Sequence, residues 1–165
     1  MPLTLNNKQK KLIANVTSWK FKLWLLANLP MGLIAGLKVS KLEADHCETS
    51  VPYFWWNKNP FRSMYFAVQA MAAELSTAST CLLAVTGQKP SIAFIIVDCK
   101  AEFIKKATGK VFFSCTNTHL AFDAVMKCLE SGEAKTATFT TTGTMKDGTV
   151  VSRFEFTWSF RQRST

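Results

Sequence analysis

One carboxylate stands inside a long apolar stretch: Glu74, between Met71-Ala72-Ala73 and Leu75. Ionising a carboxyl group in such surroundings is costly, so desolvation raises its pKa towards the range of a general base. The same group could instead pair with an arginine or cap a backbone amide, and its local sequence leaves the two roles evenly weighed. A second feature precedes it. The loop Asn59-Pro60-Phe61-Arg62-Ser63-Met64 delivers the chain into the start of the segment that carries Glu74. If that segment is helical, the amides around Tyr65, Phe66 and Ala67 are free donors at the positive end of the helix dipole. Such amides can hold a developing oxyanion. A polar loop, a helix end with free amides and a carboxylate further along make an acyl-transfer constellation.

The elements that must position these groups follow from the apolar pattern. Met64, Val68, Met71, Leu75 and Leu82 recur at helical spacing, with Ala67, Ala70, Ala72, Ala73 and Ala78 between them. They predict one long, nearly all-apolar helix over 63–85, which must be wrapped by something. Residues 37–51 are β-prone and predict a first strand, and 91–104 and 111–116 predict two more. Thr118 to Gly132 reads as a short helix with Phe122, Val125, Met126 and Leu129 on one face. Residues 136–145 predict a strand, Lys146-Asp147-Gly148-Thr149 a hairpin turn, and Phe154, Phe156, Trp158 and Phe160 alternate with polar residues in a last strand. Upstream, Asn6 or Asn7 caps a helix through Val16, and Thr17 or Ser18 caps a second that ends before Pro30. The order implies an α+β domain, an antiparallel sheet of about five strands curled around a central helix. One sheet of that size leaves the helix partly uncovered, which implies dimerisation.

Composition bounds the rest. With 48% hydrophobic and 19% charged residues among 165, the chain has the makeup of one globular domain and excludes disorder. A net charge of +9 favours an anionic partner. No nucleic-acid motif accompanies that charge, and the aromatics alternate like core residues, so nucleic acid is not the expected partner. Five cysteines without a Cys-x-x-Cys predict small buried hydrophobes in a reducing cytoplasm, and two isolated histidines predict no metal site. Lys20, Lys22, Asn28 and Pro30 interrupt the apolar run around Leu23-Trp24-Leu25-Leu26. It therefore reads as packed helix, and neither a cleaved signal nor stable membrane insertion is expected.

The spacing of Asn59, position 62, positions 65–67 and Glu74 resembles that of the hot-dog-fold acyl-CoA thioesterases of the phenylacetyl-CoA type. Their pattern is Asn, two residues, Gly, two residues, His-Gly-Gly, six residues, then Asp or Glu. Here Arg62 replaces the first Gly and Tyr65-Phe66-Ala67 stands for His-Gly-Gly. The chain looks most like a branch of that superfamily whose members begin the helix with Asn-Pro-Phe-x-Ser-Met-Tyr. The resemblance implies a hot-dog core over 37–161 with an N-terminal helical segment over 1–36, one domain over 1–165, and an added helix near Phe122.

It also implies acyl-CoA hydrolysis, with Glu74 as general base or nucleophile, Asn59 near the thioester and the Phe66 or Ala67 amide as oxyanion donor. Tyr65 replaces the histidine as a donor or serves only as packed aromatic. Arg62, Lys105, Lys106 and Lys110 would meet the substrate, the lysines facing the coenzyme phosphates. Coenzyme A enters only as part of the substrate, and no other cofactor is implied. The assembly would be a homodimer, or a tetramer of two such dimers. A non-catalytic acyl- or lipid-binding homodimer with the same pocket is the alternative.

Overall fold

The computed structural model describes residues 4–163. Asn6 caps the first helix, α1 (Asn7–Val16), through a reciprocal pair: its side chain accepts from Gln9 N at 2.9 Å and Gln9 Oε1 accepts from Asn6 N at 2.9 Å. The second helix, α2 (Lys20–Asn28), has Trp19 at its N-cap with no side-chain cap, although Ser18 Oγ accepts from Lys20 N at 3.3 Å. Neither Thr17 nor Ser18 is the cap expected from sequence. Pro30 does not merely stop this helix. It occupies the first turn of a third, α3 (Pro30–Ala35), which closes at Gly36 in the left-handed region. Proline is well suited to a first helical turn, where its missing N–H is no loss.

The region read as one strand is a hairpin of two, β1 (Lys38–Leu42) and β2 (Cys47–Val51). Glu43 and Asp45 break the β-prone run, and Glu43 N donates to His46 O at 2.7 Å across the turn. The other strands are β3 (Ile92–Phe103), β4 (Val111–Cys115), β5 (Lys135–Met145) and β6 (Val150–Gln162). All pairings are antiparallel, in a sheet of six strands ordered β1-β2-β4-β5-β6-β3. The sheet wraps the central helix, α4 (Phe66–Val85), and α5 (His119–Ser131) packs on α4, β5 and β6. This is the hot-dog architecture.

Two expectations about α4 need correction. It begins at Phe66 and not at Ser63, because Met64 N donates to Ala107 O at 2.7 Å and Tyr65 N to Asn57 O at 2.8 Å, which hold those residues extended. Nor is it nearly all apolar on its buried side, which carries Gln69, Ser76, Thr77, Ser79 and Thr80. Ser76, Thr77 and Thr80 each donate back to a helix carbonyl, at 2.7 to 3.1 Å, which removes the cost of burying them. By length and composition α4 could cross a membrane, but 67% of that span is buried inside the fold. The inward row of β6 is as expected: Phe154, Phe156, Trp158 and Phe160 are all buried. Cys47, Cys81, Cys115 and Cys128 are buried and unpaired, whereas Cys99 is exposed on β3, an edge strand with no neighbour on its outer side in the sheet.

Candidate active site

The entrance to α4 is shaped by Asn59. Its Oδ1 accepts from Phe61 N at 2.9 Å and Ser63 N at 3.2 Å, and Asn59 N donates to Ser63 O at 2.8 Å. The carboxamide is therefore spent on closing the loop. Within that loop Arg62 has φ 58°, a left-handed conformation that favours glycine. This accounts for a glycine at this position in the pattern above, and shows that an arginine is carried there at some strain.

Beyond the loop the chain enters α4 with Tyr65 as N-cap. Val68 N and Gln69 N donate to Tyr65 O, whereas Phe66 N and Ala67 N meet no acceptor among the described residues. Those two amides are the free donors expected of a first helical turn. A cavity of about 470 Å³ lies against Phe66, bordered also by Asn59, Tyr65, Gln69, Lys105 and Lys106; Ala67 is not part of its lining. The Phe66 ring stands between Tyr65 and Phe103, at centroid distances of 4.9 and 6.2 Å, and forms an aromatic wall beside the amides. Lys106 Nζ donates to Phe61 O at 3.4 Å, which ties the β3–β4 turn to the loop. Arg62 is exposed and stays outside the cavity lining, as does Lys110, whose Nζ sits 4.8 Å from the centroid of the Phe112 ring.

Glu74 lies elsewhere in the same chain. It borders a second, mainly apolar cavity of about 480 Å³, between α4, the inner faces of β3 and β6, and helices α1 and α2. Leu12, Phe21, Trp24, Leu82, Phe94 and Trp158 supply most of its wall. Burial pushes the Glu74 carboxyl up to about 7. None of the ion pairs or hydrogen bonds among the described residues engages its carboxylate. The arginine-paired or backbone-capping role left open by the sequence is therefore absent from this chain's own described residues.

Within one chain, then, the Asn59 loop, Tyr65, Phe66, Lys105 and Lys106 border one cavity, Ala67 follows in the same helical turn outside its lining, and Glu74 does not join them. Eight residues of α-helix between Phe66 and Glu74 amount to about 12 Å along the axis. Sequence reasoning missed two sets of residues here. Gln69 is buried at the inner side of the amide cavity, accepting from Ser152 Oγ at 2.9 Å. Thr77, one turn beyond Glu74, accepts from Trp158 Nε1 at 3.0 Å. Both polar residues fall on the helical spacing of the buried face, a signal that a count of apolar positions passes over. The N-terminal helices also wall the Glu74 cavity, a role no motif in them announces. Among the described residues no group of three His, Cys, Asp or Glu side chains is arranged to hold a metal ion.

Several solved structures share this fold. The chain aligns over 99% of its length with 99% of PA5026 of Pseudomonas aeruginosa, a protein of unknown function described as a probable thioesterase, at a TM-score of 0.75 and 19% identity. It aligns over 88% of its length with 95% of a mutant form of the thioesterase PA1618 of the same organism, at 0.68 and 13%. Over 85% of its length it matches 88% of the thioesterase HI1161 of Haemophilus influenzae, at 0.64 and 15%. At these identities the likeness is one of fold. No curated protein matches the chain. The model of a domain of unknown function, DUF4442, matches residues 17–160, from the α1–α2 turn to the end of the core, and the chain therefore belongs to the DUF4442 family, built on a thioesterase-like hot-dog fold.

Proposed function

We propose that the protein hydrolyses an acyl-CoA thioester as a homodimer in a reducing cytoplasm, with Glu74 as general base and the Phe66 and Ala67 amides as oxyanion hole. The observation that carries this reading is the Glu74 carboxyl: unpartnered, in an apolar cavity, and titrating at about 7. In its charged form it takes a proton from water while the hydroxide adds to the thioester carbonyl carbon. The oxygen becomes an alkoxide, held by helix-end amides that need no reorganisation. Collapse of the tetrahedral intermediate breaks the carbon–sulfur bond, and the proton on Glu74 passes to the departing thiolate. The apolar cavity suits an acyl chain. Lys105 and Lys106 beside the amide cavity suit the coenzyme phosphates.

The 12 Å between the two parts on one helix supports a site shared by two subunits, the amides from one and Glu74 from its partner. Exposed Ile95 and Val97 on the edge strand β3 supply an apolar border at which a second copy could pair. One observation favours the alternative of a non-catalytic acyl-binding dimer: Phe66, bulky and exposed, stands beside its own amide where the family pattern has a glycine. A panel of acyl-CoAs, assayed by thiol release with the wild type and Glu74→Gln, separates the two. Turnover that disappears in the variant supports hydrolysis. Binding without turnover in either supports the carrier, and turnover retained in the variant removes Glu74 from the chemistry.

A further inference from the structure

Helix α2 is apolar on both faces. Phe21 and Leu25 point into the core, while Trp19, Leu23 and Leu26, spaced by four and three residues, form an outward stripe at 68%, 55% and 61% exposure. Met31 and Ile34 continue the apolar surface on α3. The neighbouring loop extends it further. A Cβ on Gly36, at the end of α3, would lie 3.0 Å from the Phe54 ring, and Phe54 leads directly into exposed Trp55 and Trp56. Such a surface on a globular domain calls for a partner.

The charge around it selects the partner. Lys20 and Lys22 lie on α2 itself, and Lys22 and Lys38 border one groove with Trp19 and Phe54; all three lysines are exposed. No acidic residue precedes Glu43, whose carboxylate pairs with Lys41 at 2.9 Å. A second copy meeting this face across a two-fold axis would bring the same lysines together without a carboxylate from the segment to offset them. Nucleic acid would suit the lysines but leave the aliphatic stripe uncovered. An anionic bilayer suits both. Tryptophan and leucine side chains enter the boundary between headgroups and acyl chains, while lysines meet the phosphates.

We propose that α2, α3 and the Trp55–Trp56 turn form a peripheral docking surface for anionic phospholipid membranes. The protein lies on the bilayer and does not cross it. The same helix walls the Glu74 cavity through buried Phe21 and half-exposed Trp24, so the docked face and the apolar cavity share one helix. The proposal does not depend on hydrolysis, and its readout is partitioning alone.

The test is co-sedimentation of the full chain with phosphatidylcholine vesicles, with and without phosphatidylserine, alongside Trp fluorescence. Binding should require phosphatidylserine, weaken with salt and shift the emission to the blue. Leu23→Glu with Leu26→Glu should reduce partitioning by about tenfold or more while leaving the circular dichroism and melting temperature unchanged. Should that variant unfold, Lys20→Gln with Lys22→Gln provides the independent arm, with a loss of roughly fivefold per lysine. Absence of wild-type binding, equal binding to neutral vesicles, or unchanged binding in the lysine variant would overturn the proposal. So would a wild type that does not bind vesicles but dissociates into smaller species when Leu23 and Leu26 are replaced, which would mark the face as a subunit contact.

Discussion

Trp158 Nε1 donates to Thr77 Oγ1 at 3.0 Å, and Thr77 Oγ1 in turn donates to Glu74 O at 3.0 Å. The chain of two bonds fastens β6 to the turn of α4 that carries the half-buried carboxylate. Thr77→Val keeps the volume but leaves the indole N–H without its acceptor, at a cost of about 1–3 kcal/mol. Thr77→Ser should restore most of that loss. In a double-mutant cycle with Trp158→Phe, the combined loss should be smaller than the sum of the single losses, as read by denaturant unfolding.

Glu74 links stability and rate to the same titration. Its carboxyl is raised by burial from 4.5 to about 7, so the native state holds a proton that the unfolded chain has released. The associated stability is complete below pH 4.5 and is lost as pH rises through about 7. Glu74→Gln carries no such charge. The variant should match the wild type at low pH and become the more stable of the two above neutrality, by no more than about 3 kcal/mol. Hydrolysis should move the opposite way. With the carboxylate as base, kcat/KM falls about tenfold per unit below an apparent pKa of about 7. A rate independent of pH between 5 and 8, together with the expected stability crossover, would make Glu74 a half-buried acid without a catalytic role.

The β6 face, the Asn6 cap and the long central helix were legible in the sequence because each is fixed by local periodicity or a local hydrogen-bond pattern. The β1–β2 hairpin was not, since Glu43-Ala44-Asp45-His46 lacks the Gly or Asn of a tight turn and the turn is supported from outside by Thr118 Oγ1 donating to Ala44 O at 2.8 Å. The start of α4 was misplaced for a similar reason. Met64 and Tyr65, just before it, are held extended by acceptors more than 40 positions downstream, at Ala107, and upstream at Asn57. At the site, the residue types of Glu74 and Asn59 were readable, but the sequence did not show that the Asn59 carboxamide is consumed by its own loop. Nor could it show α1 and α2 closing over Glu74, a contact made between segments about 50 to 60 residues apart.

Arg62 at φ 58° sets up a simple test of the loop. A side chain in this region costs about 1 kcal/mol, and glycine does not bear that cost. Arg62→Gly should therefore raise the unfolding free energy slightly or leave it unchanged, in spite of glycine's greater freedom in the unfolded chain. A loss of more than about 1 kcal/mol would show that the guanidinium makes a contact important to the fold.

Lys105 and Lys106 border the amide cavity, whereas Lys110 is turned onto Phe112. If the first two meet coenzyme phosphates, replacing both with Ala should raise KM for acyl-CoA roughly tenfold with little change in kcat, since a remote phosphate is bound equally in ground and transition states. Lys110→Ala should have a much smaller effect. A short thioester lacking the nucleotide separates the causes: an equal rise in KM for that substrate would place the effect outside phosphate binding.

Phe66 and Glu74 share one helix yet border different cavities, and the consequence is testable in a mixture of inactive proteins. Asn59→Ala disrupts the loop that sets the amides, and Glu74→Gln removes the base, so each alone should be inactive. If a site takes its amides from one subunit and its carboxylate from the other, a mixed dimer contains one site with both defects and one with neither. Equal mixing with free exchange makes half the dimers mixed, so total activity should return to about a quarter of the wild type. If both groups served a site within one chain, every site in every dimer would still carry a defect. Exchange is followed by native mass spectrometry. Mixed dimers observed at the expected fraction without recovered turnover would rule out the shared site, and a protein that remains monomeric in the same spectra would remove its physical basis.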